Sequence, residues 1–347
     1  MERVTQVVSK MEFIIICHAG VGIGVGHLSR CLIVAKALKN RFASPIYIII
    51  QGNKIDKPEL GLYETDFISS KEDLAEKVKK MRKPAVKQVF IFDLHHGSIN
   101  NSILELLAKM KKSDCITIGI DALIKYHSLL DMVFMPTFKQ QPGPLPGSDT
   151  KIIRGWDCFL LNTLYDLAPS WTFGTKILVL TGGSDTTGLG NTFPDILNTG
   201  LNNAEAEINW VVGPYADQPV IPRTHNMKWI FHQAPQSLDD LMVKTNFAIS
   251  VYGVSFYELL HYGIPTVVFS PYGNKDDEEL TTIAAEEVAL VANNELDALD
   301  KLKKLMADSV LSSTISVKAK TKLSNSNGQR FVSELDELIK IKWQKDI

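Results

Sequence analysis

Residues 13–38 read FIIICHAGVGIGVGHLSRCLIVAKAL. The run from Phe13 to Cys17 is uninterruptedly apolar, which marks a fully buried strand. Four glycines follow at alternate positions, Gly20, Gly22, Gly24 and Gly26, and then His27. From Leu28 the apolar residues Leu32, Val34, Ala35 and Leu38 keep helical spacing. A strand, a glycine-rich turn and a helix start together suit an anionic ligand. Free backbone N–H groups and the positive end of the helix dipole point at it, and glycine lets it come close. The spacing excludes the usual dinucleotide fingerprint. A G-x-G-x-x-G from Gly22 needs glycine at His27, one from Gly20 needs it at Val25, and the second strand ends Gln51-Gly52 without an acidic residue. No G-K-[ST] follows the glycines, so a P-loop is excluded too.

Outward from this unit, short apolar runs alternate with helical patterns. Ile46–Ile50, Gln88–Phe92, Cys115–Ile120 and Asp131–Met135 read as strands, with helices over Lys71–Arg82 and near Ile99–Lys111. The segment Pro136–Thr150 carries four prolines and two glycines and reads as a linker. The alternation then restarts with strands at Lys176–Thr181, Ile208–Val212, Lys228–Phe231, Phe247–Ser250 and Pro265–Ser270. Helical patterns fall near Phe193–Asn202, from Phe256, and over Glu278–Glu287 and Leu296–Ala307. The tail, Gly328–Trp343, has Phe331, Leu335, Leu338, Ile339 and Trp343 at helical spacing. The expected fold is α/β: two facing Rossmann-like domains, with parallel sheets covered by helices on both faces and ligands in the cleft at the strand C-termini.

The 347 residues, 45% hydrophobic and 22% charged, suffice for two domains with real cores. A net charge of −2 lacks the basic excess that nucleic-acid binding requires. The N-terminal apolar run is too short for a signal peptide or a membrane span, so a cytoplasmic protein without an integral membrane segment is expected. Cys17, Cys31, Cys115 and Cys158 are scattered and read as reduced, mostly buried thiols.

His27, at a helix start beside the glycines, is a candidate general base or acid, since imidazole titrates near neutrality. As an N-cap it could instead be purely structural. Arg30, one turn on, is a phosphate ligand or a solvated charge. Gly182-Gly183-Ser184-Asp185 forms a second candidate anion loop, or a plain turn with Asp185 or Thr187 capping the next helix. Tyr252-Gly253-Val254-Ser255 forms a third such loop. Glu258 behind it could stabilise the helix dipole or hold two ribose hydroxyls. Asp93 and Asp121 end strands at the cleft edge, as substrate contacts or caps. Asp93-Leu94-His95-His96 offers metal-binding residue types, but no further ligand set accompanies it, so neither metal nor cofactor is expected.

Gly24-Val25-Gly26-His27-Leu28-Ser29-Arg30-Cys31-Leu32-Ile33-Val34-Ala35 resembles the G-x-G-H-x-x-R-C-L-x-L-A signature of the pseudaminic-acid pathway UDP-sugar hydrolases and of the related spore-coat polysaccharide proteins of the SpsG type. Gly182–Asp185 matches their GGSD turn. Gly253–Leu259 with Gly263-Ile264-Pro265 is similar to their G-x-[ST]-x-x-E-L…G-x-P segment, which MurG-like glycosyltransferases share. Asp93 and Asp121 fall where that family has strand-end aspartates, and Gly155–Leu161 resembles its G-x-x-Y-x-L-L stretch.

The resemblance implies a GT-B architecture. Residues 11–150 would be an N-terminal domain with the catalytic histidine and the sugar or acceptor side. Residues 151–326 would be a nucleotide-binding domain, and 327–347 a helix returning to the first. It implies a UDP-linked amino or deoxy sugar as substrate in surface polysaccharide biosynthesis. His27 would activate water and release UDP, the backbone at Gly253–Ser255 would meet the diphosphate, and Glu258 the ribose. Gly24, Gly26, Arg30, Gly182, Gly183 and Ser184 are candidate phosphate or substrate contacts; His18, Asp93 and Asp121 are candidate sugar contacts. Where the hydrolases carry R-x-D-A, this chain has Ile16, Cys17, His18 and Ala19; Asn162 replaces a further arginine, and the usual N-Q pair appears only as Asn274-Lys275. Three readings stand: a hydrolase, a glycosyltransferase in which His27 deprotonates a sugar or glycan acceptor, and a nucleotide-sugar-binding protein without catalysis.

Overall fold

The computed structural model describes residues 11–20, 23, 25–138, 149–163, 170–201, 205–223, 227–323 and 327–343. The chain divides into two compact units. One comprises Met1–Asn162 with Asn325–Ile347, the other Thr163–Ser324.

In the first unit the strands are β1 (Met11–Ala19), β2 (Ile46–Gly52), β3 (Glu64–Ile68), β4 (Lys87–Asp93), β5 (Cys115–Ile120), β6 (Met132–Met135) and β7 (Lys151–Arg154). They lie in the order β3-β2-β1-β4-β5-β6-β7, each pair parallel. Helices α1 (Gly26–Arg41), α2 (Leu74–Met81) and α3 (Asn101–Lys111) are the crossovers. Strand β1 is central, and its period-2 alternation divides the core between two faces. Phe13, Ile15 and Cys17 pack towards α1, while Ile14 and Ile16 pack with Leu74, Val78, Leu106 and Leu107 of α2 and α3. Because both faces are covered, the strand shows no polar alternation in sequence, as the opening run predicts.

In the second unit the strands are β8 (Lys176–Leu180), β9 (Glu207–Val212), β10 (Lys228–Gln233), β11 (Phe247–Val251), β12 (Thr266–Phe269) and β13 (Leu290–Val291). Their order is β10-β9-β8-β11-β12-β13, again parallel. Helices α4 (Leu189–Gly200), α5 (Asp239–Met242), α6 (Val254–His261), α7 (Asp277–Glu286), α8 (Glu295–Ala307) and α9 (Ser309–Leu323) accompany them. The last helix, α10 (Gln329–Trp343), belongs to the first unit. It buries Phe331, Leu335 and Leu338 against the α1 side of the sheet. Lys342 reaches Asp131 at 3.0 Å and the Cys115 carbonyl at 2.6 Å.

Four elements differ from the sequence reading. β3 forms in a stretch where the sequence reading places no strand; it is an edge strand beside β2 and alternately exposed, so it lacks an apolar run. β7 places Lys151–Arg154 in the first sheet, so the expected boundary at 150/151 falls inside that unit and the division comes after Asn162. Pairing with β6 holds β7 there, through a register that composition does not encode. α9 is a helix rich in Ser and Thr, without a clear apolar stripe. α1 begins at Gly26, so His27 lies inside the first turn, behind Val25 as N-cap. Gly22, Gly24 and residues 139–148 of the expected linker lie outside the described residues.

Candidate functional site

In the first unit, the C-terminal ends of β1, β4 and β5 meet the first turn of α1. Asp93 is the last residue of β4, wholly buried, with its side chain on the α1 face. Arg30 grips it with two bonds, Nε to Oδ2 at 2.9 Å and Nη2 to Oδ1 at 2.8 Å. The third arm of Arg30, Nη1, donates to Asp121 Oδ2 at 3.0 Å. Asp121 follows β5 with φ 56°, the left-handed conformation that aspartate tolerates better than most residues. Burial works against the Arg30 charge, but Asp93, by charge and hydrogen bond, and then Asp121 more than offset it and push the pKa up. Arg30 is thus neither a solvated charge nor a free phosphate ligand. It is the clamp that holds a buried carboxylate.

His27 Nδ1 lies 2.7 Å from Asp93 Oδ1. A carboxylate only accepts, so Nδ1 carries the proton and donates, and in the neutral imidazole Nε2 is the nitrogen that can accept a proton. Arg30 Nη2 also lies 3.1 Å from His27 Nδ1, but both nitrogens donate to Asp93 Oδ1, so this is packing around a shared acceptor. The side chain of His27 is 14% exposed. A carboxylate that fixes the tautomer of a partly exposed imidazole, whose other nitrogen meets no hydrogen-bond partner among the described residues, is the arrangement a general base needs.

His18 faces away from α1, on the α2 and α3 side, and is 1% exposed. Its Nδ1 accepts the His95 backbone N–H at 3.0 Å, and its Nε2 donates to Gln51 Oε1 at 3.1 Å. Burial pushes the His18 pKa down. The His95 ring meets that of His27 edge-on at 6.1 Å. Burial, then His96 and His27, push the His95 pKa down. Among the described residues no group of three His, Cys, Asp or Glu side chains could hold a metal ion. Gly26, at the start of α1, has open space where a β-carbon would project.

In the second unit, a cavity of about 350 Å³ lies at the C-terminal ends of β8, β9, β10 and β11. It brings together the loops Gly182–Asp185 and Tyr252–Ser255, which are 70 residues apart in sequence. Gly182 has φ 90°, and a β-carbon at Gly183 or Gly253 would meet no atom within 4 Å. Gly253 caps α6 without a side-chain bond, so the first N–H groups of that helix are uncapped by any side chain. Asp185 caps α4, accepting from Leu189 and Gly190 N–H at 2.9 and 2.7 Å. Glu258 lies one turn further along α6 and is not on the cavity wall. Among the described residues no hydrogen bond or ion pair reaches its carboxyl, and burial, then Asp239, pushes its pKa up to about 7.

The sequence reading missed the other walls of this cavity, Val211–Pro214 and Ala234-Pro235. The signals were present in Gly213-Pro214, at the end of β9, and in the proline after β10. A β-carbon at Gly213 would lie 2.5 Å from the Gly182 carbonyl oxygen, so only glycine lets the two loops pack.

No family model matches the chain, and no curated protein does. Solved structures do match in fold. MurG of Acinetobacter baumannii is 13% identical with a TM-score of 0.62, over 94% of this chain and 99% of that one. UGT2 of Phytolacca americana, in complex with UDP-2-fluoroglucose and pterostilbene, is 13% identical with a TM-score of 0.60, over 95% and 99%. A UDP-glucosyltransferase of Polygonum tinctorium capable of glucosylating indoxyl, in complex with 3,4-dichloroaniline, is 11% identical with a TM-score of 0.66, over 95% and 99%. The chain thus has the GT-B fold, two parallel-sheet α/β domains carrying helices. Among the described residues no helix is long and apolar enough to cross a membrane.

Proposed function

We propose that this chain is an enzyme that transfers a sugar from a nucleoside diphosphate to an acceptor hydroxyl, with His27 as general base. The observation that carries the reading is the Asp93–His27 pair, in which a buried, doubly clamped carboxylate orients the imidazole at 2.7 Å through Nδ1, with no hydrogen bond to Nε2 among the described residues. Nε2 takes the acceptor proton as the oxygen attacks the anomeric carbon, and the nucleoside diphosphate leaves. The second unit's cavity supplies the donor side. Uncapped N–H groups at the start of α6 and the open space at Gly183 and Gly253 suit a diphosphate. Glu258, which the motif resemblance assigns to the ribose hydroxyls, lies one turn beyond the cavity wall and has no hydrogen bond or ion pair among the described residues. The structures similar in fold include UDP-sugar glycosyltransferases, which favours transfer over the hydrolysis that the motif resemblance implied. UDP and an amino or deoxy sugar are the first donors to test.

The test measures UDP release from a panel of UDP-sugars, with and without acceptor, for wild type and His27→Ala. The expected result is acceptor-dependent release, reduced about 10²–10⁴-fold in the variant. Acceptor-independent release that His27→Ala abolishes would restore the hydrolase reading. UDP binding without turnover on any sugar would leave a binding protein.

A further inference from the structure

The first unit holds a second feature that the base itself does not use. A cavity of about 300 Å³ opens at the C-terminal ends of β1 and β2, on the face opposite α1. Two of its lining residues lead to the neighbourhood of the base, whose own side chain is not on the wall. Its wall includes Ile23 of the glycine loop, and also His18, which holds the His95 backbone whose ring abuts His27. Ligands of open parallel sheets collect at this end of the strands.

The lining states what the cavity can take. Gln51, Ser70, Glu72, Ser98 and Asn100 supply its polar groups, over a floor that includes Leu74 and Ile103. Gln51 is spent within the fold, bonding His18 and the carbonyl of Glu72. Asn100 uses its oxygen to cap α3, accepting from Ile103 N–H at 3.1 Å, and among the described residues its amide NH₂ meets no acceptor. Among the described residues no Phe, Tyr or Trp lines the cavity, and neither Lys nor Arg does. A flat aromatic acceptor has no ring to stack on there, and an anionic one meets the Glu72 carboxyl with no cation to offset it. The volume lies at the bottom of the range for small-ligand sites.

We infer that this cavity is the acceptor site and that it accepts a single uncharged sugar unit, in contrast to the aromatic molecules bound by the two plant enzymes of similar fold. The inference rests on the transferase reading for the word acceptor, but its test does not require turnover. Saturation-transfer NMR is recorded on the full chain with methyl glucoside, methyl N-acetylglucosaminide, 4-methylumbelliferone and glucuronate, and UDP binding is read separately by calorimetry. The methyl glycosides are expected to receive saturation, and the umbelliferone and glucuronate not. Ser98→Met fills the cavity and should abolish the glycoside signal while UDP affinity stays within about twofold. Asn100→Asp keeps the α3 cap, removes the NH₂ donor and should weaken glycoside binding at least about fivefold. Preferential binding of umbelliferone or glucuronate overturns the inference, as does a glycoside signal that survives both substitutions. Failure of wild-type chain to bind UDP while glycosides still bind counts against the proposed function and not against the sugar specificity of this cavity.

Discussion

Glu258→Gln should make the protein more stable and less able to bind its nucleotide. The carboxyl is buried beside Asp239, and its pKa is pushed up to about 7 from the ordinary 4.5. The folded protein therefore holds this proton more tightly than the unfolded chain does. The associated stability is fully present below about pH 4.5 and is lost as pH rises through about 7. At about 1.4 kcal/mol per tenfold difference in proton affinity, the ionised carboxylate costs about 3 kcal/mol at pH 8 and about 1 kcal/mol at pH 5. Glutamine keeps the shape and cannot ionise. Thermal melts of ligand-free protein should show the transition of the second unit raised by about 6–10 °C at pH 8 and by a quarter to a third of that at pH 5. UDP affinity, read by calorimetry at pH 8, should fall about 10–100-fold as a charged acceptor for the ribose is lost. Equal shifts at both pH values would refute the titration argument. A stabilised variant with unchanged UDP affinity would refute the ribose assignment and leave Glu258 a structural residue.

Asp93→Asn removes the carboxylate that fixes the His27 tautomer and should lower turnover about 10²–10⁴-fold while UDP affinity, which the proposed function assigns to the other unit, changes little; steady-state kinetics beside calorimetry separates the two. Arg30→Leu leaves the wholly buried Asp93 without its clamp and should cost about 3–5 kcal/mol in urea unfolding of the first unit; the same loss in an Arg30→Leu/Asp93→Leu double variant would contradict the stranded-charge account. Gly213→Ala forces a β-carbon against the Gly182 and Gly183 carbonyls and should lower UDP affinity while His27-unit stability is unchanged, as melts and calorimetry will report. Phe331→Ala empties a fully buried site beneath α10 and should cost about 3–5 kcal/mol, measured by denaturation.

Local chemistry alone determined much of this protein. Uninterrupted apolar strands such as Phe13–Cys17, alternating with helical patterns, imply parallel sheets covered on both faces, because no other arrangement dries such strands. Gly182–Ser184 and Gly253–Ser255 were legible as strand-to-helix turns, since glycine punctuates the pattern where a backbone must turn sharply or be approached closely. The tail helix was legible from its apolar spacing. What the chain alone left open was pairing in space. His27 read as base or cap, and Arg30 as phosphate ligand or surface charge. Asp93, 63 residues from Arg30, pairs with both side chains, because a buried carboxylate must be neutralised, and the strand order β1-β4-β5 brings it under α1. β3 and β7 escaped notice because edge strands are defined by a partner's register and not by their own hydrophobicity. Gly213 escaped because its need is a carbonyl 30 residues away. Sequence periodicity reports which side of an element is dry; which charges meet there is a property of the tertiary fold.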